Sequence, residues 1–459
     1  MIANKEQLIR NGGSRPNQRV RHFCLRALEE ALSAVDPARS MRRQVSIRDK
    51  QLIVRNISIP LSDFRRVVVL TFGKAGAAMM SAAIEMLKGF SVYGILVIPK
   101  GVKPPALDAN VKIFSAGHPI PDRDGTRASQ RIIRTLNVMR EDELLLCLIS
   151  GGASAMLPAP QDGISLRDKQ MVTELLVKSR TSIHEINTVR KHLSKLKGGW
   201  LAKICRASTI LSLIISDVPR NRLADIASGA TVEDPTTYND AVEILKAHNL
   251  WNHVSENIRN HLTKGLMGEI PETPKPGDPA FQRVHNVIIA DNRTACEAVK
   301  KALGADRIQS TILTSCAEME AKSMGRLLAS VARDHTRHGN VVLRSGAVII
   351  GGETTVQVKG EGIGGRNQET ALSAVEPIAD LDGCVITTLG TDGIDGNSKA
   401  AGAVTDGRTA QRAELRGMNS RDFLSRNDSY HFFRKLSDNL ITGPTGTNVG
   451  DLYLVACSK

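Results

Sequence analysis

The sequence predicts an α/β protein of two domains, the larger built on a doubly wound, mainly parallel sheet of Rossmann-like type. Short aliphatic runs alternate along the chain with amphipathic helical stretches, as in repeated βα units. The runs are continuously apolar, which is typical of strands buried on both faces of a parallel sheet. The 38 glycines among 459 residues indicate many tight turns. We expect a smaller α/β domain as well, with the functional site in the cleft between the two.

Nine aliphatic runs are the predicted strands. In chain order they cover residues 67–73, 93–99, 112–117, 144–151, 210–217, 285–291, 310–315, 347–354 and 384–392. Helical patterns lie between many of these runs, at 77–89, 126–139, 186–204, 238–249 and 293–304. Four prolines at 271–281 interrupt the pattern and suit an interdomain connection. They predict a larger domain at 1–275 and a smaller one at 280–437.

Composition argues against several classes of function. The formal net charge is +14, but the basic residues are dispersed and aromatics make up only 3%, too few for the stacking platforms of single-strand binders. A positive field also attracts small anions. No apolar run approaches the roughly 18 residues of a membrane span, and the N-terminus is polar, so we expect a cytoplasmic protein. The seven scattered cysteines predict reduced thiols.

Polar residues or glycines stand where five of the predicted strands end. In open α/β sheets, ligands bind beyond the carboxyl ends of the strands. We therefore expect these exits to line one site. They are Gly73-Lys74-Ala75-Gly76, Gly151-Gly152-Ala153-Ser154, Asp217, Glu353-Thr354-Thr355 and Thr391-Asp392.

The first two exits are candidate phosphate-binding turns. Glycines let backbone N–H groups approach a phosphate, a helix N-terminus adds partial positive charge, and Lys74 would add a full charge. The spacing is not that of a Walker A loop. Taken alone, the first exit is equally an ordinary βα turn with a solvated lysine, and Ser154 is equally a helix N-cap.

The segment 360–365 satisfies GxGxxG after a strand-like stretch, TTVQV at 354–358, and before a helix that begins with Arg366 and Asn367. A lone GxGxxG is a weak signal, and a glycine hairpin with a helix cap also explains it. A dinucleotide site would need an acidic residue about 20 positions further on. Glu376 comes too early and Asp392 too late, and Arg366 suits a triphosphate better.

Asp392 and Asp395 follow the last predicted strand and are candidate Mg²⁺ ligands, since Mg²⁺ takes one or two protein carboxylates. The same letters, DGIDG, are also ordinary turn chemistry. The segment 443–448, which ends at Asn448, is either a tight turn or a set of backbone donors around a phosphate.

Together these stretches resemble the glycerate kinase family whose C-terminal part is called the MOFRL domain. They span roughly residues 70–455 in the family's order. The matching letters are FGKAG, SAGHPIPD, LISGGASAMLPAP, INTVRKHLSKLKGG, SDVP, GGETTVQVKGEGIGGRNQE, GTDGIDG, NDSY and GPTGTNVGDL.

The resemblance implies a kinase that transfers the terminal phosphoryl group of ATP to glycerate, at its 2-hydroxyl, with Mg²⁺. It implies that Lys74 and Arg366 are catalytic and that Asp217 and Asp392 line the same cleft. It also implies that 438–459 rejoins the larger domain. Members of the family have been named hydroxypyruvate reductases, so NAD(P)H-dependent reduction of hydroxypyruvate is the alternative. A basic nucleotide-sensing or nucleic-acid-binding protein is the non-enzymatic alternative.

The expected mechanism gives each candidate a role. Asp217 orients the substrate hydroxyl, Asp392 and Asp395 hold the metal, and Lys74 and Arg366 neutralise charge from opposite domains. Partners are glycerate and ATP, with no nucleic acid and no membrane, and the protein is a monomer or homodimer. Residues expected to bind substrate or nucleotide are Gly73, Gly151, Gly152, Ser154, Gly364, Gly365, Asn367, Thr391 and Asn448.

One loop departs from the family pattern. After SDVP the family usually reads Gly-Asp-Asp-Pro and then IASGPT, whereas this chain has Arg220-Asn221-Arg222-Leu223 and then IASGAT. An acidic loop has become basic, so we expect no metal ligation from it. The family's GGGSA is also replaced by Gly-Gly-Ala-Ser-Ala at 151–155.

Overall fold

The computed structural model describes residues 1–107, 110–179, 181–338 and 346–458. The chain forms two compact units. The middle unit is Ser40–Ile289, and the terminal unit joins Met1–Arg39 to Ala290–Lys459. This division differs from the predicted boundary, which placed the first 275 residues in one domain.

Over the described residues, secondary structure follows the predicted alternation. The strands are β1 Val45–Arg48, β2 Gln51–Val54, β3 Ile57–Pro60, β4 Arg66–Phe72, β5 Val92–Pro99, β6 Val111–Ala116, β7 Glu143–Ile149, β8 Thr209–Ile215, β9 Val284–Ala290, β10 Gln309–Ala317, β11 Gly346–Gly352, β12 Cys384–Gly390, β13 Gly402–Asp406, β14 Asn439–Leu440 and β15 Asp451–Cys457. All nine predicted strands are present, within a few residues of their expected ends.

Helices connect most of these strands. They are α1 Lys5–Arg10, α2 Arg15–Ala34, α3 Pro37–Gln44, α4 Gly76–Met86, α5 Arg123–Val138, α6 Ala153–Met156, α7 Leu166–Lys178, α8 Ile183–His192, α9 Trp200–Ile204, α10 Tyr238–Ala247, α11 Glu256–Leu266, α12 Asn292–Ala305, α13 Ala321–His338, α14 Arg366–Ala374, α15 Thr409–Glu414, α16 Ser420–Ser425 and α17 Ser429–Leu436. Several start at reciprocal side-chain caps; α8, for example, begins at a capping box between Ser182 and Glu185.

The middle unit contains a six-stranded sheet in the order β6-β5-β4-β7-β8-β9. The strands from β6 to β8 pair in parallel, which confirms the predicted parallel sheet. Every residue of β7 is buried, as the continuous apolar run predicted. A core of aliphatic side chains, including Leu70, Leu145 and Ile132, packs between this sheet and its helices.

The prediction that residues 438–459 return to the larger sheet is wrong. β15 lies between β11 and β12 in the terminal unit and is antiparallel to both. Val455 pairs with Val348 on one side and Ile386 on the other, so this wholly buried strand needs two neighbours. The terminal sheet, in the order β10-β11-β15-β12-β13-β14, is therefore mixed rather than parallel.

Two further features of the structure differ from the predicted boundary between the domains. β9, expected to open the second domain, is instead the edge neighbour of β8 in the middle sheet, so the proline-rich segment precedes the last strand of its own sheet. The N-terminal helix α2 belongs to the terminal unit, where Arg21 donates to Asp406 and Asp438 at 2.7 Å each. All three side chains are fully buried, so breaking this network costs about 3–5 kcal/mol.

The cysteines depart from the prediction at one pair. Cys384 and Cys457, which lie opposite each other on β12 and β15, form a disulfide. The other cysteines are free, and burial raises the pKa of Cys205 to about 11, so that thiol is unreactive at neutral pH. Among the described helices, none has the length and apolarity needed to cross a membrane.

Candidate active site

The parallel register of the middle sheet brings three predicted strand exits to one edge. Phe72 of β4 is level with Ile149 of β7, which is level with Ile214 of β8. The residues that follow these strands therefore leave the sheet side by side.

Two of these exits interlock through their backbones. Gly73 has a φ of +129°, and a Cβ there would lie 2.2 Å from the Ser150 hydroxyl oxygen, so only glycine fits. The amide of Lys74 donates to the Gly151 carbonyl at 2.9 Å, and the amide of Ala75 donates to Ser150 Oγ at 3.0 Å. These amides hold the neighbouring turn. Gly73 thus has a packing reason for being glycine, and the phosphate contact predicted for it stays a prediction.

The glycine pair after β7 is flanked by two polar side chains. A Cβ on Gly151 would lie 2.1 Å from Asp217 Oδ2, so the carboxylate rests directly against this turn. Gly152 has a φ of +84°, and a Cβ there would lie 2.9 Å from the His118 ring. The structure thus places Asp217 and His118 on either side of Gly151-Gly152.

Lys74 lies close enough to His118 to influence its ionisation. Partial desolvation, together with the positive charge of Lys74, lowers the pKa of His118 below its usual value. The imidazole is therefore neutral at pH 7. The letters SAGHPIPD by themselves are those of a rigid polar turn, and the signal that His118 does more is its position directly after a predicted strand.

Ser154 is part of a chain of polar contacts rather than a helix cap. The N-cap of α6 is Gly152, and Ser154 Oγ lies 2.8 Å from Ser228 Oγ. Ser228 donates to Asn187 Oδ1 at 3.0 Å, and Asn187 donates to Asp225 at 3.2 Å. This chain links the turn after β7 to α8.

The basic loop that departs from the family pattern is joined to the same chain. Arg222 Nε lies 2.9 Å from Asp225 Oδ2, and the Asp225 side chain is 2% exposed. Arg222 therefore helps to fix the carboxylate that orients Asn187. The altered loop supplies a positioning contact within the middle unit.

The remaining predicted site residues lie along one edge of the sheet in the terminal unit. Gly352 of β11 and Gly390 of β12 both pair with Asp451 at the start of β15. Glu353 and Thr391, the next residues along their chains, therefore leave the sheet beside Asp451.

Arg366 is held at this edge by two carboxylates. Its Nε and Nη2 donate to the two oxygens of Asp451 at 2.5 and 3.2 Å, and its Nη1 donates to Glu353. Burial opposes the charge, but Asp451 and Glu353 together raise the pKa of Arg366 above its usual value. The guanidinium is a fixed, permanent cation.

The predicted metal ligand Asp395 caps a helix in this structure. Its Oδ1 accepts from the Asn367 amide at 2.9 Å, and its Oδ2 accepts from the Gln368 amide and side chain at 2.8 and 2.9 Å. Burial raises the pKa of Asp395 to about 6. Because both oxygens are committed to the N-terminus of α14, this geometry does not support the metal role predicted for Asp395.

The glycine-rich segment at 360–365 is packed against residues 426–429. The amides of Lys359 and Gly360 both donate to Asn427 Oδ1, and a Cβ on Gly364 would lie 2.1 Å from Ser429 Oγ. A Cβ on Gly365 would lie 2.4 Å from Asp395. Gly364 and Gly365 thus have a packing reason for being glycine, and the nucleotide contacts predicted for them stay a prediction.

Four more predicted ligands lie along this edge with different exposure. Asn367 is buried and donates to Asp451 at 3.0 Å, and Thr391 is buried and donates to the Gly450 carbonyl at 2.6 Å. Asn448, whose Oδ1 accepts from the Gly450 amide, is half-buried. Asp392 is half-buried as well. Direct ligand contact is therefore easier for Asn448 and Asp392 than for the other two.

Asp451 and its neighbour Tyr453 were missed from the sequence. Tyr453 donates to Asp451 Oδ2 at 3.0 Å, and burial raises its pKa well above the usual value. The signal available was GDL at the end of the motif GPTGTNVGDL, but the strand to which it belongs was assigned to the wrong sheet.

The donors present suit magnesium better than a metal with many protein ligands. Within 1–107, 110–179, 181–338 and 346–458, no group of three or more His, Cys, Asp or Glu side chains is arranged to hold a metal ion. Mg²⁺ is usually bound by one or two carboxylates together with water and substrate phosphates. Each unit offers one half-buried carboxylate of this kind, Asp217 in the middle unit and Asp392 in the terminal unit.

Comparison with known proteins identifies the family of this chain. Residues 23–263 match a family described as a domain of unknown function, DUF4147, and residues 346–451 match the MOFRL family. The chain is 39% identical over 436 residues to a Pyrococcus horikoshii protein named glycerate 2-kinase, covering 95% of this chain and 97% of that protein. This chain belongs to the glycerate kinase family.

Two other members of that family bear on fold and function. The crystal structure of a glycerate kinase from Thermotoga maritima is 33% identical, covers 95% of this chain and 98% of its own, and superposes with a TM-score of 0.82. A relative from Agrobacterium vitis, 37% identical over 90% of this chain and 91% of its own, is named provisionally as a hydroxypyruvate reductase. The family fold is therefore shared by proteins named for two different reactions.

Proposed function

We propose that this protein transfers the terminal phosphoryl group of ATP to the 2-hydroxyl of glycerate. The observation that carries the proposal is the carboxyl edge of the middle sheet, where Lys74, His118 and Asp217 surround the Gly151-Gly152 turn. Phosphoryl transfer depends on positioning and on neutralisation of charge, which a cation and a carboxylate around such a turn supply. Membership of the glycerate kinase family supports the choice of acceptor.

We assign Asp217 to the substrate hydroxyl. Its carboxylate is fixed against Gly151, at a strand end where its position is set by the sheet. A carboxylate within hydrogen-bond reach of an alcohol orients the attacking oxygen and accepts its proton as the new P–O bond forms. Lys74 neutralises charge on the transferring group, and the neutral His118 can donate or accept one hydrogen bond without adding charge.

Arg366 and Asp392 keep their predicted roles in this proposal. Arg366 neutralises charge on the phosphate, and Asp392 binds the metal. Arg366 is held in one orientation by Asp451 and Glu353, which suits a group that must meet charge without rearranging. Asp392 would hold Mg²⁺, which when bound would neutralise the terminal phosphates of ATP. We expect a cytoplasmic enzyme that acts as a monomer or a homodimer.

The test separates the kinase from the reductase named among the relatives. The protein is incubated with glycerate, ATP and Mg²⁺ while ADP release is followed, and in parallel with hydroxypyruvate and NADH or NADPH while the absorbance of the reduced cofactor is followed. The proposal predicts glycerate-dependent ADP and no cofactor oxidation. The reverse result would establish the reductase. The structural point against a reductase is that the GxGxxG segment does not follow a strand, since β11 ends at Gly352.

A further inference from the structure

Of the described basic side chains between residues 169 and 197, some form an ion pair with a carboxylate and others do not. Lys191 is fully buried and its Nζ lies 3.2 Å from Asp234, and Lys195 pairs with Asp162. These two show how the middle unit compensates a cation that has only a structural role. Lys169, Arg190 and Lys197 are not balanced in this way.

Lys169 and Lys197 are buried against backbone carbonyls. Lys169 Nζ donates to the Pro158 carbonyl at 2.6 Å and to the Leu193 carbonyl at 3.0 Å, and Lys197 Nζ donates to the Leu157 carbonyl. Their side chains are 5% and 3% exposed. Carbonyls satisfy the N–H donors but carry no net charge, so no carboxylate in the described part of the chain balances the charge of either ammonium group when it is protonated.

Arg190 is the partly exposed member of the group. Across the described residues it makes no hydrogen bond, ion pair or ring contact, although it is half-buried on α8. Burial lowers its pKa, and its charge lowers the pKa of both Lys169 and Lys197, which shows that the three lie together. Burial, with this repulsion, lowers the pKa of Lys197 to about 7.

The group adjoins the edge already described. Leu157 and Pro158, which accept from the two lysines, directly follow α6 and the Gly151-Gly152 turn. Asn187, one helical turn before Arg190 on α8, holds Ser228, which contacts Ser154. The cations therefore stand behind the turn beside which Asp217 lies.

A buried cation without a carboxylate partner destabilises the folded protein, and proteins retain such cations at sites that bind an anion. The carboxylate of glycerate is the one group of the substrate for which no residue has been assigned above. An arginine fork matches a carboxylate through two parallel hydrogen bonds. Arg190 alone of the three is exposed enough to make that contact directly.

We propose that Arg190 binds the carboxylate of the hydroxy-acid substrate, and that the bound anion favours the charged forms of the neighbouring Lys169 and Lys197. The inference rests on the proposed function for the identity of the substrate. It makes the enzyme specific for 2-hydroxy acids over neutral polyols, because a neutral ligand would leave the group uncompensated.

The test compares glycerate with its neutral amide, 2,3-dihydroxypropanamide. The variants are Arg190→Met, Arg190→Lys and, as a matched control, Arg167→Met at an exposed position of α7. Kinase assays give KM and kcat, and titration calorimetry without ATP gives the affinity for each ligand. Thermal unfolding checks that each variant folds.

For Arg190→Met we expect the KM and Kd for glycerate to rise on the order of 100-fold, with kcat nearly unchanged. We expect Arg190→Lys to recover part of the affinity, the amide to be affected less than about threefold, and Arg167→Met to behave as wild type. Equal losses for acid and amide, or an unchanged Kd for glycerate, would overturn the inference. A wild-type protein that binds glycerate but releases no ADP would overturn the proposed function while leaving the Arg190 result readable from calorimetry.

Discussion

The two sheet edges carry similar residues but use them differently. In the terminal unit the charges are matched internally: Arg366 is met by Asp451 and Glu353, and Asp395 by the N-terminus of α14. In the middle unit a group of buried cations lacks a carboxylate partner among the described residues, and Asp217 lies beside a glycine turn. The matched charges of the terminal edge are fixed, whereas the unmatched cations Lys169, Arg190 and Lys197 of the middle unit are prepared for an anionic ligand.

The largest effect is expected at the middle edge. Asp217→Asn keeps the size of the side chain but removes its charge and basicity, so kcat for glycerate phosphorylation should fall about 10³- to 10⁴-fold. Steady-state kinetics with glycerate and ATP would measure it. Asp63→Asn, at an exposed position of the same unit, is the control. A kcat within tenfold of wild type would remove Asp217 from the site.

A smaller effect is expected at Arg366. Arg366→Ala should lower kcat about 10²- to 10³-fold and change the KM for ATP only a few-fold, because the guanidinium is assigned to charge that develops during transfer. Arg412→Ala is the matched control, since Arg412 also pairs with a buried carboxylate of the terminal unit, Asp438 at 2.6 Å. Both variants should lose stability in urea unfolding. If Arg412→Ala lowered kcat as much as Arg366→Ala does, the loss at Arg366 would come from a change in structure and not from a role in phosphoryl transfer.

The smallest effect is a change in the pH dependence of stability at Asp395. Its pKa is raised from 3.8 to about 6 in the folded protein, so the folded state binds the proton more tightly than the unfolded state. Its contribution to the free energy of unfolding should therefore fall by roughly 2–3 kcal/mol as the pH rises from about 4 to 6. The Asp395→Asn variant should lack this pH-dependent contribution to the free energy of unfolding. An identical slope in both proteins would show that Asp395 titrates normally.

The sequence predicted what depends on local pattern. Continuous apolar runs located the strands, and polar strand exits located Lys74 and Asp217 at the edge of the middle sheet, where the structure places them. Arg366 was located as the start of the helix that follows the glycine-rich segment. It could not predict which sheet β15 joins, because strand order depends on packing between segments far apart in the chain. The same limit hid the capping role of Asp395, whose partners lie 28 and 27 residues away.

Arg190 shows the other limit of sequence reasoning. INTVRKHLSKLKGG places four basic residues within eight positions, and nothing in the letters tells which of them are balanced by a carboxylate. Only the fold shows that Asp234 reaches Lys191 and Asp162 reaches Lys195. The two residues of this motif without a carboxylate partner among the described residues, Arg190 and Lys197, are then the informative ones.

The most direct test of the account is the identity of the product made from glycerate and ATP by the wild-type protein. Phosphorus and proton NMR of the reaction mixture would show which carbon bears the phosphate. The account predicts 2-phosphoglycerate, formed in step with ADP and dependent on Mg²⁺. Phosphate on the 3-hydroxyl would mean that the Asp217 edge orients a different oxygen, and no phosphorylated glycerate at all would contradict the kinase assignment.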